Sequence, residues 1–225
     1  MAEVKDEKNI DISETLSKTE KYIEENRNTL YIAVGAIVLV IAGYLFYTKM
    51  YIGGKEKDAR AQMFIAEQYF RNDSLRLAVN GDGNYPGFEE IANDYGVSPS
   101  GNLAQLYLGM SYLRMGKYQE AIDALKDYDG DDMMTSSLAL SAIGDAYSEL
   151  NQPDDAINYY EKASKTHTNI FTTPIILMKL GGAYERQGKY EEAVKAYEKI
   201  KMDYAKSTEG ADIEKYIARA KGMVK

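Results

Sequence analysis

Few residues in this chain could do chemistry, and their spacing serves it poorly. His167 is the single histidine. No acid or nucleophile is set beside it, and no serine stands in a Gly-x-Ser-x-Gly elbow, so it reads as a surface loop residue. Gly109 to Gly116-Lys117 has the outline of a phosphate loop, which needs four residues between its glycines and a Ser or Thr after the lysine. Six residues intervene here, and Tyr118 follows. Asn80-Gly81-Asp82-Gly83-Asn84 has the start of a calcium loop, but an EF-hand then requires Gly at its sixth position and Glu at its twelfth. Tyr85 and Ile91 stand there. Asp127-Tyr128-Asp129-Gly130-Asp131-Asp132 fails in the same way, and both segments read as solvated turns. The chain has no cysteine, which removes disulfides, thiolate metal sites and cysteine nucleophiles. No catalytic, cofactor or metal site is expected, and the chain is not read as an enzyme.

The elements that position these residues carry a clearer signal. Leu108-Gly109-x-x-Tyr112 is followed nine residues later by Ala121. Ile143-Gly144-x-x-Tyr147 leads in the same way to Ala156, and Leu180-Gly181-x-x-Tyr184 to Ala193. The glycines recur at spacings of 35 and 37. A period near 34 with Leu-Gly-x-x-Tyr and Ala-x-x-x-aromatic is the mark of a tetratricopeptide helix-turn-helix repeat. Gly109 and its two copies put a residue without Cβ where two antiparallel helices come closest, and the alanines do so from the second helix. Each first helix ends on a residue able to turn left-handed, at Gly116, Asn151 and Gly188. The tryptophan expected before Leu-Gly is replaced by Gln105, Leu140 and Leu177. The predicted fold is all-α: a transmembrane helix, then a tetratricopeptide-repeat solenoid with a C-terminal capping helix.

The span is read from residues 30–48, which carry no charge. Leu30, Ile32, Val34, Ile37, Val38, Leu39, Val40, Ile41, Leu45 and Phe46 supply roughly −3 to −6 kcal/mol toward insertion. The length suits the hydrocarbon core, at about 20 residues. Tyr31 stands at one end, and Tyr44, Tyr47 and Tyr51 at the other. A cleaved signal peptide would have a shorter apolar run and an earlier start. Lys18, Lys21 and Arg27 precede the run, while Lys49, Lys55, Lys57 and Arg60 follow it, so charge alone does not orient it. The net charge of −8 argues against nucleic acid, which needs a basic footprint.

The chain therefore divides into a tail over residues 1–28, a span over 29–52 and a repeat domain over 53–225. The tail has a possible short amphipathic helix from Ser13, with Ile12, Leu16 and Ile23 on one stripe. Gly53-Gly54 marks the exit from the span. A degenerate repeat fills 55–100, with Ala59, Met63, Ala66 and Phe70 in its first helix, Tyr69 in the tyrosine slot and residues 88–95 as its second helix. Three repeats start near Asn102, Ser137 and Pro174, separated by turns at 129–132 and 166–173. A capping helix over 208–222 carries Ile213, Tyr216, Ile217 and Ala220 on one face and covers the edge of the last repeat.

In such an array the first helices line a groove. The positions expected to face it are Met63, Glu67 and Phe70; Leu103, Leu106, Met110 and Leu113; Leu138, Ser141 and Asp145; and Ile175, Met178 and Glu185. The apolar members, Met63, Phe70, Leu103, Leu106, Met110, Leu113, Leu138, Ile175 and Met178, form the candidate binding groove. Methionine suits adaptable apolar binding.

A short acidic tail, one span and a repeat domain together resemble the ancillary SecYEG translocon subunits of YfgM type. Leu108-Gly109-x-x-Tyr112 and its copies carry that resemblance. The insertion at 77–90, followed by Gly101-Asn102-Leu103-Ala104, is similar to the form found in Bacteroidetes. The resemblance implies a single-span bacterial inner-membrane protein with a cytoplasmic N-terminus and a periplasmic repeat domain. Its implied partners are the SecYEG translocon, a membrane-anchored prolyl-isomerase-like chaperone and emerging envelope proteins. Two other readings stay open: a scaffold for envelope or outer-membrane assembly away from the translocon, and a mitochondrial import receptor anchored at its N-terminus.

Overall fold

The computed structural model describes residues 20–224. Among the described residues there is no strand. The chain divides at Ile52/Gly53 into two compact units.

In the first unit, residues 20–25 are helical. Ser13, Ile12 and Leu16 lie outside the described residues; Ile23 is exposed. Helix α1 runs Arg27–Phe46, and Tyr47–Ile52 continues as π-helix. Thr48 Oγ1 donates to the carbonyls of Tyr44 at 3.0 Å and Leu45 at 3.2 Å. The Tyr47 and Tyr51 rings stack at 5.4 Å. No residue of α1 is buried, although its side chains are almost all apolar. Its backbone groups are satisfied within the helix, as lipid requires of any spanning segment. Among the described residues one helix, beginning at Arg27, is long and apolar enough to cross a membrane.

The second unit is a series of antiparallel helix pairs. Helix α2 (Gly53–Arg71) is followed by the short α3 (Leu75–Asn80) and by α4 (Phe88–Tyr95). Gly53 and Gly54 are helical and open α2. The next pairs are α5 (Pro99–Arg114) with α6 (Tyr118–Asp127), α7 (Thr135–Glu149) with α8 (Pro153–Lys165), and α9 (Thr173–Arg186) with α10 (Tyr190–Asp203). Helices α11 (Thr208–Ala211) and α12 (Ile213–Met223) close the array. Ile213, Ile217 and Ala220 of α12 are buried in one core cluster with Tyr197 and Ile200 of α10.

One capping device ends every first helix. Gly116, Asn151 and Gly188 have φ of 74°, 56° and 69°. The N–H of the next residue returns to a tyrosine carbonyl: Lys117 to Tyr112, Gln152 to Tyr147 and Lys189 to Tyr184, each at 2.9 Å. These are Schellman closures. The degenerate repeat ends identically, with Asp73 at φ 59° and Ser74 N–H donating to the Tyr69 carbonyl at 2.9 Å. Asp73 bears some strain at a position where glycine is easiest.

The repeat glycines sit where the pairs touch. A Cβ at Gly109 would lie 2.4 Å from Leu125 Cγ, and one at Gly144 would lie 2.7 Å from the Tyr160 ring. Ala121, Ala156 and Ala193 are buried on the facing helices.

Candidate binding surface

The tyrosine of each Leu-Gly-x-x-Tyr motif does a second job beyond capping. Its hydroxyl reaches the second helix of the preceding pair. Tyr112 donates to Glu89 Oε1 in α4 at 3.3 Å, Lys126 in α6 donates to the Tyr147 hydroxyl at 3.2 Å, and Tyr184 donates to Glu161 Oε1 in α8 at 2.5 Å. These bonds fix each pair against its neighbour and so hold the row of first helices in place. Burial, then the Glu161 carboxylate, pushes the Tyr184 hydroxyl up. The same hydrogen bond, with Lys165, holds Glu161 below the usual carboxylate range.

The nine expected groove residues divide by burial. Met63 and Leu106 lie in the core. Phe70, Leu103 and Leu113 pack partly buried on the cluster around Phe88 and Ile91. Leu103, Met110 and Leu113 also pack on the cluster around Ile122 and Ile143. Met178 packs on the cluster of α8, α9, α10 and α12. Leu138 and Ile175 are the freest, 39% and 42% exposed. Phe70 is held edge-on by Tyr107 at 5.3 Å, with the Arg114 guanidinium 4.9 Å above its ring.

Polar bridges cross the same row. Arg114 pairs with Asp73 at 2.6 Å, and Arg219 with Glu185 at 2.5 Å. Lys179 Nζ lies 2.6 Å from Asp145 Oδ2 and 3.4 Å from Ser141 Oγ. Tyr160 donates to Asp145 Oδ1 at 2.7 Å. Burial, then Asp145, pushes the Tyr160 hydroxyl well up. Burial, then Glu185, pushes Tyr197 up to about 12. Ser141, Asp145 and Glu185 are therefore engaged within the chain. Ser141 and Asp145 of α7 form a polar centre between the apolar residues of α5 and those of α9, while Glu185 bridges α9 to α12.

Sequence reasoning missed an apolar cavity of about 390 Å³ between α8, α9 and α10. Leu177, Leu180, Tyr184 and Ala196 wall it, and Glu161, Lys165, Glu192 and Lys199 rim it. A comparable space of about 400 Å³ is lined by Leu140 with Leu125, Ile143 and Tyr159. Leu140 and Leu177 occupy the slots where the repeat pattern expects tryptophan. A smaller side chain in a fixed helix frame leaves room unfilled, so the missing tryptophans were the available signal.

His167 Nε2 lies 3.2 Å from Asp131 Oδ1, both in exposed inter-repeat loops. In the 81–87 turn, Asp82 Oδ1 accepts from the N–H groups of Asn84 and Tyr85 at 2.9 and 2.8 Å. Its other oxygen accepts from Tyr69 at 2.7 Å. The carboxylate is committed to shaping the turn. Among the described residues no group of His, Asp and Glu has a metal-binding arrangement.

Two tetratricopeptide-repeat family models match the chain, over residues 141–208 and 103–128. No curated protein matches it. Among solved structures it is similar to a Podosopora anserina protein described as a kinesin light chain with nearly identical TPR-like repeats, and to a single-substitution variant of that protein. Each is 18% identical with a TM-score of 0.58, over 75% of this chain and 87% of the other. The fold of the second unit is thus an all-helical tetratricopeptide-like array, and such repeats indicate a protein–protein interaction module.

Proposed function

We propose that this chain is a membrane-anchored docking module. Helix α1 holds it in the bilayer, and the first-helix face binds extended or helical segments of other proteins. One observation carries the reading: a helical repeat array follows an apolar helix that buries none of its own side chains. Tethering raises the local concentration of the face near membrane-bound partners, so individually weak contacts suffice.

The resemblance to ancillary translocon subunits supplies the finer assignment. The chain sits in a bacterial inner membrane, N-terminus cytoplasmic and repeats periplasmic. It docks chaperones or emerging envelope proteins beside the SecYEG translocon. Phe70, Leu103, Met110, Leu113, Leu138, Ile175 and Met178 contribute the apolar contacts.

Leu138→Glu with Ile175→Glu tests this. These are the most exposed of the nine side chains and lie outside the buried core clusters, so the pair charges the face. The full-length variant, solubilised from membranes, is expected to stay folded and to lose translocon or chaperone partners that the wild type recovers. Undiminished recovery of every partner would reject the first-helix face as the docking site. A cysteine introduced at Ser207, the only thiol in the chain, is expected to react with an impermeant reagent in intact spheroplasts. Reaction only after lysis would reverse the topology.

A further inference from the structure

The repeat unit has two edges, and they differ in chemistry. One edge carries the turns within each pair: Gly116-Lys117, Asn151-Gln152 and Gly188-Lys189. The other carries the N-terminal ends of the first helices and the loops between pairs. A continuous set of contacts marks this second edge. Lys55 Nζ donates to the Asp94 carbonyl, and Ser100 N–H donates to Glu56 Oε2 at 2.8 Å. Asn102 exchanges hydrogen bonds with Asp129 at 2.7 and 2.9 Å. Asn169 Nδ2 donates to the Met133 carbonyl at 3.2 Å, and Lys201 pairs with Glu214 at 2.5 Å. The edge therefore runs from the first turn of α2 to the start of α12.

Two of its loops are built alike. Asp132 Oδ1 accepts from the N–H groups of Met134 and Thr135 at 2.9 and 2.8 Å. Asn169 Oδ1, 37 residues on, accepts from Phe171 and Thr172 at 2.9 and 2.8 Å. Each loop is braced by these bonds and presents an exposed apolar pair: Met133-Met134 and Ile170-Phe171. Phe171 is 69% exposed and Met133 61%. Val97 is exposed in the preceding loop. A preordered loop tip loses little freedom on insertion into an apolar phase.

Covalent connectivity indicates what covers these tips. Gly53 opens α2 at this edge, and it follows Ile52 of the apolar segment by one peptide bond. We propose that this edge faces the bilayer and that Ile170-Phe171 and Met133-Met134 dip into its headgroup–acyl boundary, orienting the array over the membrane. The proposal rests on the reading of α1 as a span. Apolar side chains inserted shallowly are the usual content of interfacial contacts. Asp129, Asp131 and Asp132 beside Met133 favour zwitterionic over anionic headgroups. The 166–173 loop carries no carboxylate, so Phe171 is the deepest contact.

The chain has no tryptophan, so one introduced indole is its only reporter. Full-length Phe171→Trp and Tyr190→Trp, the latter at the opposite edge, are reconstituted in phosphatidylcholine vesicles with and without bromine on the acyl chains. Phe171→Trp is expected to lose most of its emission in brominated vesicles and Tyr190→Trp almost none. Ile170→Trp is expected to repeat the loss and serves if Phe171→Trp fails to fold. Equal quenching at both edges, or none at either, overturns the proposal when the protein still floats with the vesicles after carbonate washing. Failure to float would instead remove the anchor, and the proposal with it.

Discussion

Gly181 stands against the face of Tyr197, so close that a Cβ on the glycine would lie 2.2 Å from Tyr197 Cε1. Tyr197 is buried and cannot swing clear. Gly182, the next residue, has only the Arg186 side chain nearby, at 3.7 Å. Two adjacent glycines in one helix thus answer to different physics. Gly181→Ala overpacks a helix pair and is expected to cost about 1–3 kcal/mol. Gly182→Ala removes unfolded-chain entropy without a clash and is expected to gain about 0.5–1 kcal/mol. Urea titration of both variants checks the signs. Equal losses would remove the repeat-packing account.

Asn151 ends α7 with φ of 56°. A Cβ is strained there, and alanine lacks the local polar bonding that makes Asn tolerable. Asn151→Ala is expected to cost about 1–2 kcal/mol. Asn151→Gly is expected to be neutral or slightly stabilising, matching the Gly116 and Gly188 closures. Thermal unfolding of the pair gives the ordering; a more stable alanine variant would contradict the Schellman assignment.

Tyr184 links two repeats through Glu161, and that link depends on pH. The tyrosine hydrogen bond, then Lys165, holds Glu161 below its ordinary value of 4.5. A depressed folded-state value means that the carboxylate adds stability above the ordinary value. That stability is lost as pH falls through the depressed one. Tyr184→Phe is expected to cost about 1 kcal/mol at neutral pH. The cost should shrink in acid, once Glu161 is protonated in both proteins. A cost independent of pH would mean that Tyr184 acts through packing alone.

The periodic features of this fold are local, which is why they are legible in the chain. Gly116, Asn151 and Gly188 announce left-handed closures by residue type and position. Residues 88–95 announce a helix by apolar spacing after a turn-rich stretch. Asp73 closes α2 in the same way without a glycine or asparagine to mark it. The six residues of α3 are too few to display a helical period. The bonds of Tyr112, Tyr147 and Tyr184 to the preceding repeat span more than twenty positions, and nothing in the motif specifies their partners. Burial divides the groove positions for a similar reason: Met63 and Leu106 occupy lining positions by count, but helix rotation turns them into the core. Leu138 and Ile175 remain open because each lies in the first turn of its helix, beside an exposed inter-repeat loop.

The central claim is that the first-helix face docks other proteins at a membrane. A photo-crosslinking amino acid at Ile175, on the full chain in intact membranes, tests it most directly. Irradiation is expected to yield discrete adducts with translocon, chaperone or emerging envelope proteins, while the same probe at Gln187, in the turn after α9, yields none. Adducts from Gln187 but not from Ile175, with the chain correctly inserted, would contradict the claim.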